Sequence, residues 1–374
     1  MLDIATPVLD RLRSGREVAV VTVTEVDRSA PRGVGASMAV TDAGEVIGSI
    51  SGGCVEGDAI VLAHLVLADG AARGARFGFD DEAAHAAGLA CGGRIGVLAY
   101  RIRRSDAAAF LALEEAAADR AVTVGIALEG AAAGSIVRSG DLASAPAPSL
   151  DAALDAAAIL AETRVVRADD GQAVLALSRA PRPRLLVLGA GDHAAALCRV
   201  ATAAGFAVTV CDVWDTLVTR ERFPEAAELV AADPATYLRS QDADGVDART
   251  AVCVLTHDTR LDIPAIRVAL GMPVGFVGAL GSRRTVAHRA ALLREAGVGE
   301  DDLARLHSPL GLDLGGASPD EVAISALAEI VQSRHGASGR PLLERTGALH
   351  RGGAPEVDAP ATSCSTGAET VAWI

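Results

Sequence analysis

The stretch "SISGGCVEGD", Ser49 to Asp58, sets Ser51, Gly52 and Gly53 directly before Cys54, and an alanine-rich helical pattern follows. Glycine reaches backbone angles closed to other residues, so the pattern predicts a thiol mounted on a tight turn at a helix start. The positive end of a helix dipole favours thiolate over thiol, while Glu56 and Asp58 oppose that shift. A second thiol, Cys91, precedes its own Gly-Gly pair in "LACGGRIGVLAY". Thiols so placed can hold a soft metal or take part in redox exchange. The competing reading makes both small buried hydrophobes, the usual fate of free cysteine. Cys198, Cys211 and Cys253 fall inside apolar helix or strand patterns and are read as core.

A different chemistry is written at residues 189–194, Gly-Ala-Gly-Asp-His-Ala. A G-x-G-x-x-A sequence between a strand pattern and a helix pattern predicts a turn whose N–H groups approach a phosphate at the helix start. Asp212 closes the next strand about 20 residues on, where a carboxylate would hold ribose hydroxyls. Asp192 places negative charge in the turn that would cradle a pyrophosphate. The alternative is that Asp192 satisfies helix N–H groups and the fold holds no dinucleotide. Two more loops follow apolar strand patterns. "THD" (256–258) carries His257, a candidate acid–base group whose plainer role is bonding neighbouring backbone. "GALGSRR" (278–284) offers Ser282, Arg283 and Arg284 at a helix N-terminus, a setting suited to an anion.

The elements that must position these residues follow from patterning and composition. At 374 residues the chain is long enough for two domains with separate cores, and 50% of its residues are hydrophobic, with few aromatics. Every basic residue is arginine. With no lysine, neither a Walker A phosphate loop nor a pyridoxal phosphate Schiff base can be built. A formal charge of -14 argues against a nucleic-acid partner. The N-terminal "MLDIATPVLDRLRSG" is an amphipathic helix carrying Asp3 and Asp10, unlike a signal peptide, and no uncharged apolar run nears membrane-spanning length. A cytoplasmic chain is expected, with its six cysteines as thiols; none forms a C-x-x-C pair, so a structural zinc site is not expected.

The fold class is therefore α/β, an N-terminal mixed α/β domain followed by a C-terminal Rossmann-like doubly wound domain. In the first half, residues 17–26 read as a strand, and Asp42-Ala43-Gly44 turns a hairpin. The helix after Cys54 ends at Gly70, and strands and helices alternate irregularly to about 180. "RAPRPR" (179–184) marks the boundary, giving domains at 1–180 and 181–336 and a flexible tail at 337–374. Beyond the boundary, strand–helix alternation is regular, and its last helix is announced by Ser318, Pro319 and Glu321 as a capping box.

At this point the residues resemble a known family. "SAPRGVGASMAV", "GEVIGSISGGCVEGD" and "CGGRIGVL" look like the N-terminal domain of the XdhC/CoxI family. "LLVLGAGDHAAAL", "VLTHDTRLDIPAI", "VGALGSRR" and "SPLGLDLGGASPDEVAISALAEIV" look like that family's Rossmann domain, so the likeness covers about residues 1–335. It implies a maturation factor for molybdenum hydroxylases of the xanthine or carbon monoxide dehydrogenase type. Such a factor binds the molybdenum cofactor (molybdopterin), protects it while a cysteine desulfurase partner supplies sulfur, and delivers it to the client apoenzyme. It also implies a homodimer. On this resemblance Cys54, a possible molybdenum contact, and Cys91 match cysteines associated with holding the cofactor, with Ser51, Gly52 and Gly53 beside them. Gly189, Gly191, His193, Asp212, Ser282 and Arg283 are the candidate contacts on the Rossmann side. Where the family commonly has histidine right after the second glycine, this chain has Asp192 and then His193. The alternative activity is an NAD-dependent oxidoreductase, with NAD(P) in the Rossmann domain; a third reading is a thiol redox enzyme using Cys54 and Cys91.

Overall fold

Along β1 (Val18–Asp27) successive side chains must point to opposite faces of a sheet, and both faces are apolar over its first half. Val18 and Val20 join one buried cluster, while Ala19, Val21 and Val23 join another. The strand therefore needs a cover on each side. α1 (Ala5–Arg13) and α3 (Ala107–Ala117) supply one, and α2 (Glu56–Asp69) supplies the other. β1 pairs antiparallel with β2 (Ser37–Thr41) and β5 (Arg94–Ile102), and β3 (Val46–Gly48) and β4 (Arg73–Gly78) close the edges of this five-stranded sheet. The computed structural model describes residues 1–27, 30–78, 94–138, 148–167, 171–241 and 245–344. Cys91 and the tail beyond 344 lie outside those residues.

A four-stranded antiparallel sheet follows, in the order β7-β6-β9-β8, from β6 (Val122–Ala127), β7 (Ile136–Arg138), β8 (Arg164–Arg167) and β9 (Ala173–Arg179). α4 (Pro148–Leu160) covers one face, where Leu154 and Ala157 meet Val174 and Ala176. Val124, Ile126, Leu175 and Leu177 of the other face share a core with Val20 and Leu98 of the first sheet.

From Arg184 the chain builds a six-stranded, wholly parallel sheet. Its strands are β10 (Arg184–Leu188), β11 (Ala207–Asp212), β12 (Glu228–Ala231), β13 (Ala251–Val254), β14 (Phe276–Ala279) and β15 (Leu306–His307). The order β12-β11-β10-β13-β14-β15 is that of the Rossmann fold, with its reversal between β10 and β13. The central strands read as continuous apolar runs because helices bury both faces. Leu185 and Val187 pack beneath α5 (Asp192–Ala203) and α10 (Pro319–Arg334). Leu186 and Leu188 pack beneath α6 (Pro234–Ser240), α7 (Thr259–Leu270) and α8 (Arg283–Glu295). The capping box at Ser318 and Glu321 is present at the start of α10. A short α9 (Glu300–Ala304) precedes β15.

Several elements were not legible beforehand: β4, β12 and β15, with α6 and α9. All three strands are sheet edges. An edge strand is held mainly by backbone pairing along one side, so it needs little of the apolar alternation that betrays a strand. No helix among the described residues is long and apolar enough to cross a membrane.

Candidate functional site

The Cys54 turn is anchored at both ends by apolar side chains. Ile50 and Val55 are buried in the core beneath α2, while Gly52, Gly53 and Cys54 between them are exposed. Gly52 and Gly53 take φ of +86° and +125°, and a Cβ on either would meet nothing within 4 Å. Their requirement for glycine is conformational, and the ground beside Cys54 is open.

The turn is wrapped around a carboxylate. Glu56 Oε1 accepts hydrogen bonds from Ser49 Oγ at 2.6 Å and from the N–H groups of Ile50, Ser51 and Gly52 at 3.2, 2.9 and 3.0 Å. Its Oε2 accepts from Ser51 Oγ at 2.5 Å and from the N–H groups of Gly53 and Val55 at 2.8 and 3.2 Å. The Cys54 N–H donates to Ser51 Oγ at 3.0 Å. Burial opposes the charge on Glu56, but the bonds from Ser49, Ser51 and the backbone outweigh it and hold the carboxyl well below the usual carboxylate range. Glu56 therefore keeps its charge beside the thiol and has a second role as well. It is the group on which the turn is folded.

At the mouth of the parallel sheet, Gly189 takes φ of +115°, and a Cβ there would lie 2.9 Å from Thr256 N and 3.0 Å from the Leu255 carbonyl carbon. Only glycine lets β10 turn this close to β13. The Ala190 N–H donates to Asp212 Oδ2 at 2.8 Å, and the Trp214 N–H donates to Asp212 Oδ1 at 3.1 Å. Each oxygen of Asp212 therefore already accepts one bond from the chain's own backbone, and the residue braces the glycine loop. Gly191, the α5 N-cap, has an ordinary φ of -83° and open space where a Cβ would stand. Asp192 makes no capping bond; its side chain is 87% exposed and lies 3.7 Å from Arg222, which also donates to the Ala190 carbonyl. The capping role weighed for Asp192 is thus replaced by a solvated ion pair. His193 follows, half-buried, in the first turn of α5. Ser282 caps α8, accepting from the Thr285 N–H at 3.2 Å, and Arg283 and Arg284 are exposed. The fold thus gathers Gly189, Gly191 and Asp212 around one loop and sets "THD" and "GSRR" at the neighbouring strand ends. The Cys54 turn belongs to the first sheet.

Sequence reasoning missed the ion pair beneath these loops. Arg289 and Asp262 have side chains only 2% exposed, with Nη2 3.2 Å from Oδ2. Arg289 also donates to Ser308 Oγ at 3.0 Å and to the Leu280 carbonyl at 2.8 Å, and Thr256 Oγ donates to Asp262. One network therefore ties the loops after β13, β14 and β15 together. Burial raises the Asp262 carboxyl above its ordinary value, against the pull of Thr256 and Arg289. A signal was present in the sequence, because Asp262 stands on the same helical stripe as buried Ala265, Ile266 and Ala269. Asp258 caps α7, accepting from the Arg260 N–H at 2.9 Å, and His257 beside it is exposed.

Cys198, Cys211 and Cys253 are buried, as the apolar patterns implied. Burial pushes the first two thiols up to about 11 and about 12 and the third higher still, which keeps them protonated. Among the described cysteines only Cys54 is exposed.

Residues 11–78 match the XdhC and CoxI family, and residues 185–330 match the XdhC Rossmann domain. The Escherichia coli (strain K12) protein YqeB is 35% identical over 158 residues, 42% of this chain and 28% of that protein's own length. A protein of Bacillus subtilis (strain 168) named as a probable xanthine dehydrogenase subunit is 29% identical over 332 residues, covering 87% of this chain and 96% of that one. The molybdenum cofactor insertion chaperone PaoD of Escherichia coli (strain K12) is 26% identical over 331 residues, 87% of this chain and 86% of its own. A crystal structure described as a xanthine dehydrogenase from Bacillus halodurans shares the fold, with a TM-score of 0.66 and 21% identity over 89% of this chain and 96% of that one.

Proposed function

The chain belongs to the XdhC/CoxI family, and from that premise we propose that it is an accessory maturation factor for a molybdenum hydroxylase. It binds the molybdenum cofactor and delivers it, after sulfuration by a cysteine desulfurase partner, to an apoenzyme of the xanthine or carbon monoxide dehydrogenase type. It acts as a homodimer in the cytoplasm. Two relatives spanning most of this chain support the reading: one is named as a cofactor insertion chaperone and the other as part of a xanthine dehydrogenase. The domain division proposed with it runs 1–180, 181–336 and 337–374.

The single observation that carries the reading is the exposed Cys54 thiol beside two glycines whose missing side chains leave open ground. A soft thiolate suits a molybdenum centre, and a bulky pterin needs that room. When bound, the cofactor supplies the metal chemistry that the client uses. The residues of this chain hold and shield it: Ser51, Gly52 and Gly53 shape the seat, and Cys54 contacts the metal end. Cys91 is proposed as a second contact. On the Rossmann side, Gly189 and Gly191 of the glycine loop, with Ser282 and Arg283 at a helix start, are proposed to receive the anionic tail, and His193 and Asp212 are proposed as further contacts.

Cys54→Ser is expected to leave the fold intact and weaken binding of isolated molybdenum cofactor at least tenfold, about 1.4 kcal/mol. Cys253→Ser puts a hydroxyl in a fully buried site and should lower the melting temperature while leaving affinity nearly unchanged. Equal affinities for the parent and Cys54→Ser would remove Cys54 from the site.

Asp212 and the glycine loop favour the second reading, an NAD-dependent oxidoreductase. Calorimetric titration decides between the two. With the Asp192 carboxylate at the loop where the pyrophosphate would sit, NAD and NADP should bind no tighter than roughly millimolar, near -4 kcal/mol. Micromolar NAD binding would restore the oxidoreductase.

A further inference from the structure

We propose that Glu56 is the positioning residue for the Cys54 thiol: its carboxylate gathers the N–H groups of the turn and so fixes the backbone from which the thiol is presented. The link to cofactor binding rests on the reading of Cys54 given above. The positioning itself stands on the geometry of the turn.

Every N–H from Ile50 to Val55 donates to an oxygen of Glu56 or Ser51. Gly52 is bonded to Ser49 Oγ as well. The two hydroxyls are themselves held by Glu56. A surface turn normally leaves such donors to water, and then samples many conformations. Here one carboxylate and its two hydroxyls collect them all, and the positive φ at Gly52 and Gly53 makes that inward wrap possible. Cys54 has no direct bond to Glu56; it is held through Ser51, one step removed.

Ordinary helix capping does not account for this. In a capping box the acid stands three residues into the helix and returns to the N-cap, as Glu321 does for Ser318. Glu56 is instead the first residue of α2, with Val55 as N-cap, and reaches backward across residues 49–55. Its oxygens accept four and three bonds, all from neutral donors. That arrangement makes Glu56→Gln a sharp test, because a carboxamide NH2 in either orientation would face at least three donors in place of an acceptor.

The test uses the full-length chain, parent against Glu56→Gln and Ser51→Ala, in three measurements. In hydrogen exchange followed by mass spectrometry, Glu56→Gln should speed exchange of the Ile50–Val55 amides at least tenfold while the β10 and β13 amides hold their parent rates. Peptide-resolved iodoacetamide labelling of Cys54 across pH 6–9 should give a displaced pH–rate profile, which a simple loss of stability would not move. In equilibrium binding of isolated molybdenum cofactor, Glu56→Gln should weaken affinity in the parent background and add nothing to Cys54→Ser. Ser51→Ala keeps the carboxylate and should loosen chiefly the Cys54 and Val55 amides, so it carries the test if Glu56→Gln does not fold. Parent-like exchange and labelling in both variants would overturn the positioning role. Unchanged cofactor affinity in Cys54→Ser, with the exchange and labelling effects present, would instead overturn the cofactor reading alone.

Discussion

Asp262→Ala should open the mouth of the parallel sheet by about 3–5 kcal/mol, the loss expected when one partner of a buried ion pair is removed. Both side chains are almost wholly buried, and the variant strands the Arg289 guanidinium among apolar helices with only Ser308 and the Leu280 carbonyl for company. Because the chain contains several layers, the loss is best read locally, as faster hydrogen exchange of β13 and β14 amides under native conditions. The first sheet, built on separate cores, should exchange as before. Replacing both partners, as Asp262→Leu with Arg289→Met, should recover most of the loss, since apolar replacement of a whole buried pair is often near neutral. A residual deficit of about 1–2 kcal/mol is expected from the carbonyl and hydroxyl that Arg289 leaves behind. An Asp262→Ala protein with parent-like exchange in β13 and β14 would show that the pair contributes nothing to holding the three loops together.

Gly189→Ala should cost about 3 kcal/mol, and Gly191→Ala no more than about 1 kcal/mol. The first substitution forces a side chain into a left-handed backbone angle and against the backbone of Leu255 and Thr256, which directly follow β13 and cannot give way cheaply. The second adds a methyl to open space at an ordinary φ. The two glycines of one fingerprint therefore separate: Gly189 answers to the fold, and Gly191 is free to answer to a ligand. If Gly191→Ala keeps its melting temperature and weakens cofactor binding, the open space beside it is ligand space. Equal destabilisation by both would remove that distinction.

What the sequence determined by itself were features set by local chemistry. Glycine at 52, 53 and 70, the apolar runs of β10, β11 and β13 and the Ser318 capping box each constrain the nearby backbone directly, so each was legible in order along the chain. The same holds for the exposed Cys54 against the buried Cys198, Cys211 and Cys253, because apolar neighbours in a strand or helix decide burial. Tertiary structure decided what depended on partners distant in sequence or on the direction of a side chain. Strands β4, β12 and β15 exist because a neighbouring strand offers hydrogen bonds, not because their residues favour extension. The Asp262–Arg289 pair joins residues 27 apart in the chain, through a network no local pattern contains. Asp212 was read as a contact for ribose hydroxyls, and the fold showed that it also braces the loop, because the Ala190 N–H lies within reach of its carboxylate. Glu56 was read by its charge, but its role came from geometry. A carboxylate two residues after a thiol organises the turn only where the backbone folds back to meet it, and five N–H groups donating to Glu56 made that choice.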